Sequence, residues 1–69
     1  MSSSRRVQDS LSKREREILA LVAEGYNNQE VGERLSITRT TARTHLTHIY
    51  KKLSVSSRTQ AVVKYFFSA

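Results

Sequence analysis

The chain has no cysteine, no proline and only two glycines, Gly25 and Gly32. Without cysteine there is no disulfide framework and no thiolate metal site, which fits a reducing compartment; the expected location is the cytoplasm. Without proline, and with Leu, Arg, Glu, Ala and Lys frequent, nothing breaks helices, so an all-α domain is expected. No apolar run reaches the 18 residues that a membrane helix needs, and the amino end lacks the apolar segment of a secretory signal. No phosphate loop, nucleophile–base set or metal cluster occurs. Catalysis is therefore not indicated, and no cofactor is expected.

Acid is missing from a whole half of the chain. Five of the six acids (Glu15, Glu17, Glu24, Glu30, Glu33) lie in residues 11–35, beside four cations. From Leu35 to Ala69 there is none, while Arg39, Arg43, Lys51, Lys52, Arg58 and Lys64 stand unopposed. A one-sided excess within a net charge of +6 calls for a polyanionic partner, either nucleic acid or an acidic membrane surface. A membrane helix would set large apolar residues beside its cations. Residues 39–53 set threonines there instead, which favours nucleic acid and argues against a membrane.

What is present reads as one compact four-helix domain, near the size at which a core holds without staples. Residues 1–10 are polar and without period, a flexible arm; a basic arm entering a minor groove is the alternative to a plain linker. Residues 11–69 form the domain. Ser12 to Glu15 and Asn27 to Glu30 are capping boxes, and Ser57 to Gln60 is a third. They open helices over about 13–24, 28–35 and 58–67. Gly25 ends the first helix in a position that commonly needs a left-handed residue. Ile18, Leu21 and Val22 form its apolar face, widened by Leu19, while Val31 and Leu35 point inward from the second. Gly32 inside that helix either admits a neighbouring backbone or merely replaces alanine. Ser36, Ile37 and Thr38 make a short turn with Ile37 as an apolar plug, and Thr38 caps a third helix over 39–53.

That third helix has two incompatible faces. Ala42, Leu46, Ile49 and Leu53 recur at i, i+4, i+7 and i+11, a stripe turned to a core. At 100° per residue, Thr40, Arg43, Thr44, Thr47 and Lys51 gather on the other side. This outer face carries hydroxyls and cations but no acid, whereas an ordinary solvated face mixes opposite charges. Helix, three-residue turn and helix make a helix-turn-helix, whose second helix enters the major groove.

Residues 11–25 (LSKREREILALVAEG) resemble the opening of the LuxR-type, GerE-like DNA-binding domain. So do Asn28 to Val31, Leu35 to Ile37, Thr41 to His45, Ile49, Lys52, Leu53, Val55, Arg58 and Ala61. The likeness runs over about residues 11–67. It implies a four-helix domain that binds double-stranded DNA in a bacterial transcription regulator. Such domains usually end response regulators or quorum-sensing receptors, and a few stand alone. The third helix then reads bases and the fourth commonly dimerises. The chain departs from the pattern in five places. Asn27 stands where Ser is usual, Gly32 where Ala is usual and Ala42 where Val is typical; Arg43 stands where Lys is frequent, and Thr47 is not generic. The last two bear on which sequence is read, so no known operator carries over.

On both grounds Arg43, Thr44 and Thr47 are the expected base contacts. The Arg43 fork fits O6 and N7 of a guanine, with a phosphate as its other possible partner. Thr44 and Thr47 offer a methyl to thymine or a hydroxyl to either strand, unless they only fill the helix surface. Thr40 and Lys51, toward the ends of the face, are expected on phosphates. So are Thr38 and Thr41 at the positive end of the helix. Lys52 is a phosphate candidate or a solvated lysine. Arg58 is a phosphate candidate or the partner of a carboxylate in the amino-terminal half. His45 and His48 lack the companions of a metal site, and His45 and Tyr50 are expected to pack.

Val62, Val63, Tyr65, Phe66 and Phe67 make the fourth helix apolar almost all round, more than one small core can take. A homodimer through these residues is expected, formed in solution or only on DNA. Docking against an amino-terminal regulatory domain outside this chain is the alternative. Two other functions remain open: a basic protein-interaction module, and a sigma-factor-like promoter reader.

Overall fold

The computed structural model describes residues 10–67 as four helices: α1 (Lys13–Ala23), α2 (Asn28–Leu35), α3 (Arg39–Leu53) and α4 (Arg58–Phe67). The expected arm falls almost wholly on residues 1–9, outside the described residues.

The starts of the helices follow from their caps. Ser12 Oγ accepts from Glu15 N–H at 3.1 Å, and the Glu15 carboxylate accepts from Ser12 N–H at 2.9 Å. Asn27 and Glu30 repeat the exchange at 2.8 and 2.9 Å. Thr38 Oγ1 accepts from Thr41 N–H at 3.0 Å. Ser57 Oγ accepts from Gln60 N–H at 3.2 Å, but the third box closes differently. The Gln60 side chain accepts from Ser56 N–H at 2.8 Å, one residue before the cap.

The ends use left-handed residues. Helix α1 stops at Ala23, one residue earlier than expected, and Gly25 turns the chain at φ 104°. Tyr26 N–H then reaches Leu21 O at 3.2 Å and Gly25 N–H reaches Val22 O at 3.0 Å, a Schellman closure. Helices α2 and α3 end the same way on serines, Ser36 at φ 58° and Ser54 at φ 57°. Each holds a conformation that an L-residue adopts only at a cost of about 1–2 kcal/mol.

The α3 stripe of Ala42, Leu46, Ile49 and Leu53 is buried. Against it lie Leu11, Ile18, Leu19, Val22, Val31 and Ala61. Leu19 is fully buried whereas Leu21 is only partly so, the reverse of their expected ranks. Helix α1 packs on both α3 and α4, so its apolar stripe must serve two neighbours and is wider than one period suggests. Ile37 and Tyr50 pack at the margin of the core, and His45 is half-buried.

Helices α2 and α3, joined by Ser36, Ile37 and Thr38, form the helix-turn-helix. Gly32 decides how tightly it closes: a Cβ there would stand 2.6 Å from Ile37 O and 3.2 Å from the Thr38 carbonyl carbon. The glycine therefore admits a neighbouring backbone.

Two ties lock distant segments. Glu15 is buried, and its carboxylate takes Lys52 Nζ at 2.8 Å, joining the start of α1 to the end of α3. Arg58 at the start of α4 donates to Tyr26 O and, at 3.3 Å, to Asn28 Oδ1. Its partners thus lie in the amino-terminal half, as in the alternative to a phosphate contact, but they are a carbonyl and an amide and not a carboxylate.

Candidate nucleic-acid interface

Capping by Thr38 fixes where α3 begins, and burial of its apolar stripe fixes which way it turns. Thr40, Arg43, Thr44, Thr47 and Lys51 are consequently all exposed, on the face predicted from periodicity. No acid occurs in the helix. Its first turn opens on Arg39 and holds Thr41 in the place where α1 and α2 carry Glu15 and Glu30.

Some hydroxyl protons on and beside this face are already committed. The Thr47 hydroxyl donates to Arg43 O at 3.1 Å, so its proton is spent inside the helix. What remains outward is a methyl and lone pairs, suited to a thymine methyl or to a base amino group. The Thr38 and Thr41 hydroxyls lie 2.9 Å apart. One of their two protons serves that bond, and the other is left for an acceptor such as phosphate.

Beside the outer face lies an open cleft of about 560 Å³, bordered by Asn28, Gln29, Arg39, Thr40, Arg43 and Arg58. Arg43 thus stands both on the outer face of α3 and on the rim of a hollow with two further arginines. From sequence, Arg39 stood only among the unopposed cations, and Asn28 and Gln29 only in a capping box and the family likeness. None was expected as a contact, because the approach of α2 is a property of the fold.

Two expected phosphate contacts are otherwise engaged. Lys52 is the ion-pair partner of Glu15, and it lies off the centre of the acid-free face, about 100° around the helix from Lys51. Burial by itself raises the Glu15 carboxyl, but the bonds from Lys52 Nζ and Ser12 N–H outweigh it and hold the group below its ordinary value. Arg58 is tied to Tyr26 and Asn28, although it still borders the cleft. Lys64 donates to Leu53 O at 2.6 Å, closing the carbonyl end of α3 with a cation.

On α4 the five apolar residues divide. Val62 and Tyr65 pack against the core, and Ala61 is buried. Val63, Phe66 and Phe67 are 50%, 59% and 83% exposed, at i, i+3 and i+4. Val63 also borders a groove of about 380 Å³ that Val55 and Thr59 help to line.

Comparison with known proteins agrees with this architecture. The family of bacterial regulatory proteins named luxR matches residues 9–65. The transcriptional regulatory protein LiaR of Bacillus subtilis is 60% identical over 55 residues, covering 80% of this chain and 26% of its own length. The response regulator protein VraR of Staphylococcus aureus is 44% identical over 66 residues, covering 96% of this chain and 32% of its own. VraR of Staphylococcus epidermidis matches to the same extent. The chain therefore spans about a quarter to a third of the relatives it matches. With four helices in the expected order, a helix-turn-helix at α2–α3 and a family match over most of its length, the chain belongs to the luxR family of bacterial regulatory proteins.

Proposed function

We propose that this domain binds double-stranded DNA in a sequence-specific manner and serves as the DNA-binding portion of a bacterial response regulator. The exposed, acid-free face of α3 carries this reading. Helix α3 lies in the major groove with Arg43, Thr44 and Thr47 toward base edges. Thr38, Thr40, Thr41 and Lys51 meet phosphates on either side. Lys52 is left out of this set because Glu15 holds it. Val63, Phe66 and Phe67 of α4 form the contact with a second copy, so that two reading helices meet two half-sites.

Selection from a random duplex library at about 150 mM salt, where non-specific binding is weak, tests this. The expected result is an enriched motif in two related halves. Tight binding to every duplex without enrichment would reduce the domain to a basic DNA coat. Absence of binding would shift the function to protein interaction through α4. Sedimentation with and without the selected duplex then shows whether the dimer forms alone or on DNA.

A further inference from the structure

The cleft beside α3 is built from the amino ends of three helices. Asn28 and Gln29 open α2, Arg39 and Thr40 open α3, and Arg58 opens α4. Its border is guanidinium, amide and hydroxyl, with no carboxylate. The Glu30 carboxylate, close in sequence, is folded back onto Asn27 N–H at 2.9 Å. Arg58 uses two of its five N–H groups on Tyr26 and Asn28, which leaves three. Arg39 takes no part in either ion pair found among the described residues.

Arg39 and Arg58 at positive helix ends, with Arg43 one turn further on at the rim, set like charges around one cleft in the free protein. An anion among them turns their repulsion into attraction. The cleft border offers a base no aromatic surface to stack on, since the nearby Tyr26 ring already carries the Arg34 guanidinium at 4.0 Å. A compact anion with several acceptor oxygens fits such a border.

We infer that the cleft seats one phosphodiester of the DNA strand flanking the groove, a step that rests on the DNA reading proposed above. Arg39 and Arg58 supply its charged contacts, and Asn28 supplies a neutral donor, as does the one Gln29 N–H left over from its 3.4 Å bond to Glu33. Arg43 sits at the rim, where the seated strand meets the base-reading face. The site fixes how far α3 slides along the groove.

The test uses duplexes of the selected site in which single phosphates are replaced by neutral methylphosphonates. At 150 mM salt the wild-type chain is expected to lose about five-fold in affinity at the seated position of each half-site, the worth of one counterion released, as it does at the phosphate that Lys51 meets. Arg39→Gln is expected to lose affinity on the native duplex and to lose less than wild type when the seated position is made neutral, Arg58 keeping the remaining share. Its log–log salt slope becomes shallower by up to about 0.9 per bound protomer. Arg14→Gln, on the α1 surface and paired with Glu17 at 3.5 Å, keeps the wild-type slope. Arg39→Gln should melt no lower than wild type, because it removes a cation from a positive helix end. An unchanged slope for Arg39→Gln would overturn the phosphate seat while leaving sequence-specific binding intact. So would losses that multiply with the neutral linkage at every position. Failure of the wild-type chain to bind any duplex would overturn both.

Discussion

Arg43 and Lys51 share a face and a charge, yet different jobs are expected of them. A guanidinium held bidentate on one guanine discriminates by about 1–3 kcal/mol, whereas an ammonium on a phosphate is blind to sequence. Arg43→Ala should therefore flatten the preference at one base pair of the selected motif, and Lys51→Ala should weaken all duplexes alike. Equal losses for both on every sequence would make Arg43 a phosphate contact. The exposure of both residues was legible from periodicity alone, because one buried stripe fixes the opposite face. The spent Thr47 proton was not, since it depends on rotamer choice within the turn. The left-handed serines were not legible either: serine carries no preference for positive φ, and tertiary packing imposes it. Ser54→Gly should relieve part of that strain, offset by a more flexible unfolded chain. A net gain of up to about 1 kcal/mol, or a few degrees in melting temperature, is expected.

Between elements, the Glu15–Lys52 pair closes α1 on α3 across 37 residues of sequence. Glu15 was legible as a cap partner, but its second role was not, because nothing local marks which cation will arrive. Its carboxyl is held below the ordinary value of 4.5, so its contribution is present above that pH and is lost as pH falls through the lower folded-state value. Lys52→Met removes the opposing cation and leaves burial, which pushes the carboxyl up, against the Ser12 bonds alone. The variant should unfold at lower urea than wild type at neutral pH, and the gap should narrow on acidification below 4.5. A gap independent of pH would mean that the pair does not carry the loss. The variant's salt slope on DNA should match that of wild type; one shallower by about 0.9 would return Lys52 to the phosphate contacts. The turn between α2 and α3 has its own test. Gly32→Val drives side-chain atoms into the Ile37 and Thr38 backbone and should lose about 1–3 kcal/mol by chemical denaturation. Even the single Cβ of alanine would oblige the turn to step back. The sequence marked Gly32 as unusual but held no sign of what approaches it.

For the molecule as a whole, charge and apolar excess both point outward, in different directions. The basic second half was legible as a polyanion surface from the acid count. That α4 carries more apolar surface than one core absorbs was legible from composition. Which residues are in excess was not, because it depends on how α4 rolls against α1. Burial of Ala61 settles that roll and leaves Val63, Phe66 and Phe67 outside. Phe66→Asp should leave binding to an isolated half-site unchanged and abolish cooperative occupancy of the paired site, as read by gel shift. Helix α4 is also fastened at two points, by Arg58 to the turn before α2 and by Lys64 to the last carbonyl of α3. A helix pinned twice behaves as a strut, not as a tether. The distance between two readers joined through it then belongs to the protein, and DNA must match it. One base pair added between the half-sites turns the second by about 35° around the duplex axis. Such a site should be occupied one half at a time.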